Sequence, residues 1–363
     1  MQEYLSTLIQ FKTRPNDLVE NRKAFDYLEK QFAKHNLHIN RSSQNGHESL
    51  VATVKDAKAP TIFFAAHMDI VAAPDKLFTL REDADNYYGR GTYDMKLAIA
   101  SYLVMLDRLK NELDQYDIGF MITGDEEVGG VDGVGRLVDE GYLPRIVVLP
   151  DGGENWKLEA RAKGVWIASV ATSGVKAHGS RPWEGENAVN KLLDVLAEIR
   201  TLAPQEAPEA TTLTLSQISG GPAFNQVPSH ASASMDFRFY SAAEQERIIE
   251  TVGNICTQHG AELTTLAEGP TVEVDVANPY VQTFMELVEQ ATGQPQQQVL
   301  SLGASDARFF AAKGVTCIVI EPVGGGRHAD NEWVNKASLD QFTDVLTDFA
   351  KVAGHIDNSG TIA

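Results

Sequence analysis

The sequence predicts an α/β protein: a catalytic domain built on a mostly parallel sheet with helices on both faces, interrupted by an inserted α+β, ferredoxin-like domain. Three observations lead there. Short, nearly all-apolar runs such as "TIFFAAHMDIV", "DIGFMIT" and "RIVVLPD" read as strands buried on both faces. Helical segments separate them, and strand–helix alternation is the pattern of a parallel sheet. The pattern then changes after about Leu158 to β-α-β-β-α-β, a self-contained ferredoxin-like order. A chain of 363 residues is also too long for one small core. The expected division is residues 1–160 with 270–363 as the catalytic domain, and 161–269 as the insertion.

The elements follow in order. Residues 1 to about 40 read as a helix, a turn and a second helix. "SLVATVK" and "TIFFAAHMDIV" are the first strands. Leu97 to Leu106 is apolar nearly all round, which predicts a deeply buried helix. "DIGFMIT" and "RIVVLPD" are strands separated by a helix near Gly133 to Asp139. In the insertion, "GVWIASVATSG" reads as a strand and "NAVNKLLDVLAEIR" as a helix. "TTLTLSQISGG" and "ASASMDFRFY" alternate as strands, "AAEQERIIETVGNICTQHG" is a helix, and "AELTTLA" closes the unit. "NPYVQTFMELVEQATG" is a further helix, and the apolar strand "GVTCIVIEPVGG" returns to the first sheet.

Composition narrows the function classes. A formal net charge of -19 argues against nucleic acid as a partner, because phosphate binding needs a basic face. It argues equally against an anionic membrane surface. The first 25 residues carry charges throughout and lack the apolar core of a signal peptide. No run approaches the ~18 apolar residues of a membrane span. Cys256 and Cys317 are too few and too far apart for a disulfide framework or a thiolate metal site. The expectation is a cytoplasmic protein.

The chemistry-bearing residues gather at strand ends, where α/β sheets bind ligands. His67 and Asp69 in "AAHMDIV" share a face of an extended chain. Each residue has a plain reading: His67 as a satisfied core histidine, Asp94 in "YYGRGTYDMK" as a helix N-cap, and Asp125, Glu126 and Glu127 in "GDEEVGG" as a solvated turn. Asp151 ends the strand in "LPDGGE", and His328 follows the last apolar strand in "GGGRHADNEW". Together they amount to more. Five strand ends carry His, Asp, Glu-Glu, Asp and His. Imidazole and carboxylate without thiolate suit zinc, manganese or cobalt. The set is too large for one four-coordinate ion, and suits two ions about 3.5–4 Å apart sharing a carboxylate.

These motifs resemble the dinuclear zinc metallopeptidases of the M20 family, whose members include carboxypeptidase G2, succinyl-diaminopimelate desuccinylase, acetylornithine deacetylase and aminoacylase. The matching segments are "HMD" (67–69), "GRGTYDMK" (89–96), "GDEEVGG" (124–130), "PDG" (150–152), "KAHGSRPWEGENAV" (176–189) and "RHADNEW" (327–333). The resemblance extends over most of the chain, from the first of these segments to the last. The resemblance implies that Asp94 bridges two divalent metal ions, most readily zinc, with cobalt or manganese as alternatives. His67 and Asp151 would complete one metal site, and Glu127 and His328 the other. Glu126 would be the general base, Asp69 would orient His67, and the Asp94–Met95 peptide would be cis. The insertion would be a lid and dimerisation domain of a homodimer. From it His178 would reach the partner's site to stabilise the oxyanion, and Asn225 and Arg238 would bind substrate. Arg308 in "GASDARFF" is a second candidate for a substrate carboxylate. His35, His38, His47, His230, His259 and His355 have no such context and receive no role. Asp125 is left to a solvated or backbone-capping role.

The implied reaction is hydrolysis of an amide or peptide bond in a small N-acyl amino acid or dipeptide-like substrate, by a metal-bridging water with Glu126 as base. A non-catalytic metal-binding member of the same fold is the alternative, disfavoured because the ligands and the base are all present. A lid-less aminopeptidase is disfavoured by the insertion that carries His178.

Overall fold

The computed structural model describes residues 1–204, 207–354 and 356; His355 lies outside the described residues. The chain forms two compact units. One comprises 1–160, 273–299 and 305–363, the other 161–272 and 300–304.

The larger unit is organised by a six-stranded sheet. Its spatial order is His38–Gln44, His47–Thr53, Ile118–Thr123, Ile62–His67, Ile146–Val148 and Thr316–Ile318. The last four are mutually parallel, and His47–Thr53 runs antiparallel to its two neighbours. The late strand around Cys317 thus returns to the first sheet, beside Ile146–Val148. Ile62–His67 and Ile118–Thr123 are buried at every position. Successive side chains of a strand point to opposite faces, and both faces are covered. Phe64 packs on Tyr102 of helix Lys96–Leu109, while Phe63 meets Tyr142. Phe32 of helix Leu18–Ala33 packs on Phe120. Helix Lys96–Leu109 is buried at nearly every residue, because helix Lys336–Ala353 covers a further side; Thr343 Oγ1 donates to Ser101 Oγ at 3.1 Å.

Two elements depart from the sequence reading. Residues 38–44 form an edge strand where the sequence suggested the end of a helix pair. Its alternation is weak because it is half-exposed at the sheet edge. A small antiparallel sheet joins Gly324–Gly325, Trp333–Asn335, Asn86–Tyr88 and Arg81–Glu82 in that order. Its strands are two or three residues long, too short to show a period, yet it brings the segment holding Asp94 beside the segment holding His328.

The smaller unit is a four-stranded antiparallel sheet. Its order is Thr212–Gly220, His230–Phe239, Gly164–Ser173 and Glu262–Gly269, with helices Ala188–Ile199 and Ala242–His259. This is the β-α-β-β-α-β order read from the sequence. Burial alternates strictly along the two central strands, so one face packs on the helices. Trp166, Phe237 and Phe239 stack there with Ile248 and Val252.

Candidate metal centre

The parallel strands of the larger unit deliver the acids and histidines at their carboxyl ends, where an α/β sheet leaves a crevice. His67 ends its strand; Asp125 to Glu127 follow Ile118–Thr123; Asp151 follows Ile146–Val148. Asp94 lies just before helix Lys96–Leu109, and the Asp94–Met95 peptide is cis. His328 sits in the loop after the last parallel strand, at φ 61°.

Two groups of ligand-type atoms result. His67, Glu126 and Asp151 offer atoms all within 4.8 Å of one another, and so do Asp94, Glu127 and His328. Asp94 faces both. Its Oδ1 lies 3.1 Å from His67 Nε2 and its Oδ2 lies 3.1 Å from His328 Nε2. One carboxylate thus addresses one histidine with each oxygen. His328 Nε2 also lies 3.3 Å from Glu127 Oε2.

The supporting contacts explain why these side chains hold their places. The Asp69 carboxylate accepts from the backbone N–H groups of Glu126 (3.2 Å) and Glu127 (2.9 Å). Orientation of His67 falls to the Asp69 backbone, with Nδ1 3.0 Å from the carbonyl oxygen and 3.5 Å from Oδ1. A carbonyl oxygen can only accept, so Nδ1–H donates to it and Nε2 faces the centre as the ligand-type atom. Asp125 is buried, and its Oδ2 accepts from the N–H groups of Asp132 and Gly133, both at 2.9 Å. It therefore caps the turn that follows. Gly129 and Gly130, both at positive φ, let the chain reverse there without strain.

A second support was not picked out from the sequence. Glu332, 1 % exposed, accepts from the N–H groups of Tyr93 (2.8 Å) and Asp94 (3.0 Å) through Oε1, and from Arg90 Nη1 (2.6 Å) through Oε2. Arg90 Nη2 then reaches the His328 carbonyl at 3.1 Å. One buried ion pair thus fixes the backbone of Asp94 and of His328. Both residues stand inside the quoted motifs, but nothing in the motifs says that they meet. Arg327 and the buried acids Asp306 and Glu321 also border the centre and carry no sequence signal beyond their neighbours.

The electrostatics are those of a cation site. Burial pushes Glu126 well above the ordinary carboxylate range, and the nearby Asp151 charge adds to it. Burial likewise raises Asp151 and lifts Glu127 and Asp306 to about 7. Burial opposes ionisation of Asp94 too, but hydrogen bonds from His328 and His67 and the Arg327 charge hold it well below its usual range. Glu127 Oε1 is buried without a hydrogen-bond partner. Acids gathered out of water in excess of their cations are costly unless positive charge is supplied. An imidazole and carboxylate set fits a divalent ion of the zinc, cobalt or manganese type.

The remaining sequence candidates are not members of either group. His178 is exposed in the smaller unit, and its Nδ1 lies 3.2 Å from the Ser180 backbone N–H, which can only donate. In the neutral ring Nδ1 is then the acceptor, and Nε2–H is the outward donor. The Asn225 carbonyl accepts from Gly179 N–H at 2.7 Å, so Asn225 is a neighbour of His178. Arg238 is engaged by Asp236 two residues away, through Nε at 2.8 Å and Nη2 at 3.0 Å. Arg308 donates to the Gly129 carbonyl at 2.7 Å and the Ser305 carbonyl at 2.9 Å, both neutral acceptors.

Comparison with known proteins agrees with this geometry. Residues 63–352 match the model of peptidase family M20/M25/M40, a span that includes every residue of both groups. The chain is 28% identical over 320 residues to a succinyl-diaminopimelate desuccinylase of Shewanella pealeana, covering 80% of this chain and 82% of that protein. Among solved structures it resembles a tripeptidase from Staphylococcus aureus, with a TM-score of 0.79 at 21% identity over 97% of each chain. It also resembles an M20 family metallo-carboxypeptidase from Sulfolobus solfataricus, with a TM-score of 0.76 at 18% identity over 97% of this chain and 99% of that one. By the span of its family match and the fold it shares, the chain belongs to peptidase family M20/M25/M40 and is a metal-dependent hydrolase of amide or peptide bonds.

Proposed function

We propose that the centre holds two divalent ions, most readily zinc, with cobalt or manganese as alternatives, and cleaves a small N-acyl amino acid or dipeptide-like substrate. The observation that carries this reading is Asp94, with one oxygen toward each histidine. His67 and Asp151 would hold one ion and Glu127 and His328 the other, with Asp94 between them. When bound, the ions polarise the scissile carbonyl and make water acidic near neutral pH.

The chain's own residues do the rest. Glu126 stands beside His67 and Asp151 and has no ion-pair partner among the described residues. It takes the proton of the attacking water and returns it to the leaving amine. Nearby positive charge keeps it ionised, as a base requires, against the upward push of burial. Asp69 fixes the backbone of Glu126 and Glu127 and so sets the distance between base and ligand. His178 donates Nε2–H to the developing oxyanion of the partner subunit, a contribution of about 3 kcal/mol for one donor. Asn225, beside it, binds substrate polar groups.

For a substrate carboxylate, Arg308 is favoured over Arg238. Arg308 hydrogen-bonds only neutral carbonyls, with the Asp306 charge nearby, whereas Arg238 is already paired with Asp236 through two hydrogen bonds. The unit of residues 161–269 serves as lid and dimerisation domain. Its edge strand Thr212–Gly220 leaves Leu215 and Ile218 exposed, as a strand awaiting a partner would. Two free, buried cysteines suit a cytoplasmic location. No helix among the described residues is long and apolar enough to cross a membrane.

The test is metal content together with turnover of a panel of N-succinyl and N-acetyl amino acids, dipeptides and tripeptides. Two ions per chain and turnover of at least one class support the reading. A chain that binds no divalent ion contradicts it.

A further inference from the structure

One positive charge at the centre has no part in the scheme above. Arg327, just before His328, places Nη1 2.7 Å from Asp151 Oδ1 and 3.2 Å from Asp94 Oδ1. Its Nη2 lies 2.7 Å from Glu321 Oε1. The guanidinium is 5.7 Å from the Tyr93 ring centroid, a supporting cation–π contact. Glu321 is 0 % exposed, and its other oxygen has no hydrogen-bond partner. A single guanidinium therefore touches one acid from each ligand group and a third acid in the core behind them.

We propose that Arg327 is the centre's resident counter-cation. It supplies positive charge when ions are absent and opposes them electrostatically when they are present. The inference rests on the reading that the two groups bind divalent ions. Charge balance carries it. The groups contain four carboxylates, from Asp94, Glu126, Glu127 and Asp151. Two dications match those four charges, which leaves Arg327 to match Glu321. Without ions, Arg327 is the one Lys or Arg side chain that touches both groups among the described residues, and its charge is permanent. Removing one partner of a buried pair is strongly destabilising, so the metal-free fold depends on it. Once ions bind, the same charge repels them at close range, where a partly buried site screens weakly.

The two effects have opposite signs. Loss of Arg327 weakens the metal-free fold and strengthens ion binding, and a thermodynamic cycle ties the two changes together. A residue that only orients Asp94 and Asp151 would weaken ion binding when lost.

The experiment uses wild type, Arg327→Met and Arg327→Lys. Each is purified loaded and then stripped by dialysis against a chelator. The readouts are the thermal midpoint in each state and the zinc affinity, by competition with a chromophoric chelator. For Arg327→Met, the stripped midpoint falls well below that of stripped wild type, the loaded midpoint moves much less, and zinc binds about tenfold tighter or more. A stripped Arg327→Met that unfolds and refolds on zinc addition is the same result in its extreme form. Arg327→Lys keeps the charge but not the three-way reach. Its zinc affinity stays within about threefold of wild type. The proposal is overturned if Arg327→Met binds zinc no more tightly than wild type, fails to fold even with zinc, or is matched by Arg327→Lys in both readouts. Wild type that binds no zinc sinks the metal reading and this proposal together. Wild type that binds two ions while Arg327→Met binds them more weakly sinks this proposal alone.

Discussion

The two ligand groups are built from the same chemistry but sit in different surroundings. His67 is at the end of a strand buried on both sides, with 1% of its side chain exposed. His328 is in a loop at positive φ, with 54% of its side chain exposed. The first group is set by the sheet. The second is set by the small antiparallel sheet and by the Arg90–Glu332 pair that reaches the His328 carbonyl. The difference teaches that one group is enclosed while the other faces solvent, with Asp94 linking the two.

The largest expected effect separates the base, in the enclosed group, from its sequence neighbour in the open group. Glu126→Ala loses about a thousandfold or more in kcat while keeping both ions. Glu127→Ala, in the open group, loses or weakens one ion. Equal metal loss in both variants, by elemental analysis, would erase the division of labour between adjacent glutamates.

Next comes the donor outside both groups. His178→Ala loses about a hundredfold to a thousandfold in kcat without changing metal content. Mixing it with Asp94→Ala restores part of the activity in hybrid dimers. Hybrids with no recovered activity would mean that His178 does not serve a partner's centre.

The asymmetry itself is read by stripping. A graded chelator titration removes one ion well before the other, and His328→Ala retains one ion whereas His67→Ala disturbs both. Simultaneous release in wild type would break the comparison.

The smallest effect is in pH. Burial lifts Glu127 to about 7 in the metal-free protein, and an ion needs it ionised. Affinity for the open-group ion therefore falls by about tenfold per pH unit below 7 from this residue alone. The metal-free fold runs the other way. A carboxyl raised above its unfolded value of 4.5 contributes stability that is present below that value and lost as pH rises through about 7. Isothermal titration for the ion and thermal midpoints for the stripped protein check the two signs, and Glu127→Gln flattens both.

Much of this was legible in the sequence. All-apolar runs announced strands covered on both faces, and the alternation of "ASASMDFRFY" reappears as strict burial alternation along His230–Phe239, whereas that of "TTLTLSQISGG" does not along the exposed edge strand Thr212–Gly220. His67, Glu126, Glu127 and Asp151 were legible because they follow parallel strands, whereas Asp94 precedes a helix and His328 sits in a loop. What was not legible depends on contacts between distant segments. No spacing rule places Glu332 against the backbone of Asp94, or Arg327 against Asp151. Nor could the sequence tell that Asp69 would steady the two glutamates with its carboxylate while its carbonyl orients His67. Between a solvated and a backbone-capping role for Asp125 the sequence could not choose, because the N–H groups that donate to it come from residues seven and eight positions on. The strands of the small sheet are too short for periodicity to register.

Lys96 carries a consequence for how the protein can be handled. Its ammonium is buried two residues from Asp94 and donates to the carbonyls of Leu8 (3.1 Å) and Phe11 (2.7 Å), where helix Gln2–Gln10 ends. Burial pulls it down to about 7, and the negative end of that helix is among the few groups that favour its charge. The first dozen residues are therefore part of the foundation under Asp94. Trimming them, or fusing a tag that unwinds that helix, would leave an amine stranded in the core beneath Asp94, so truncations and fusions are better placed elsewhere on the chain.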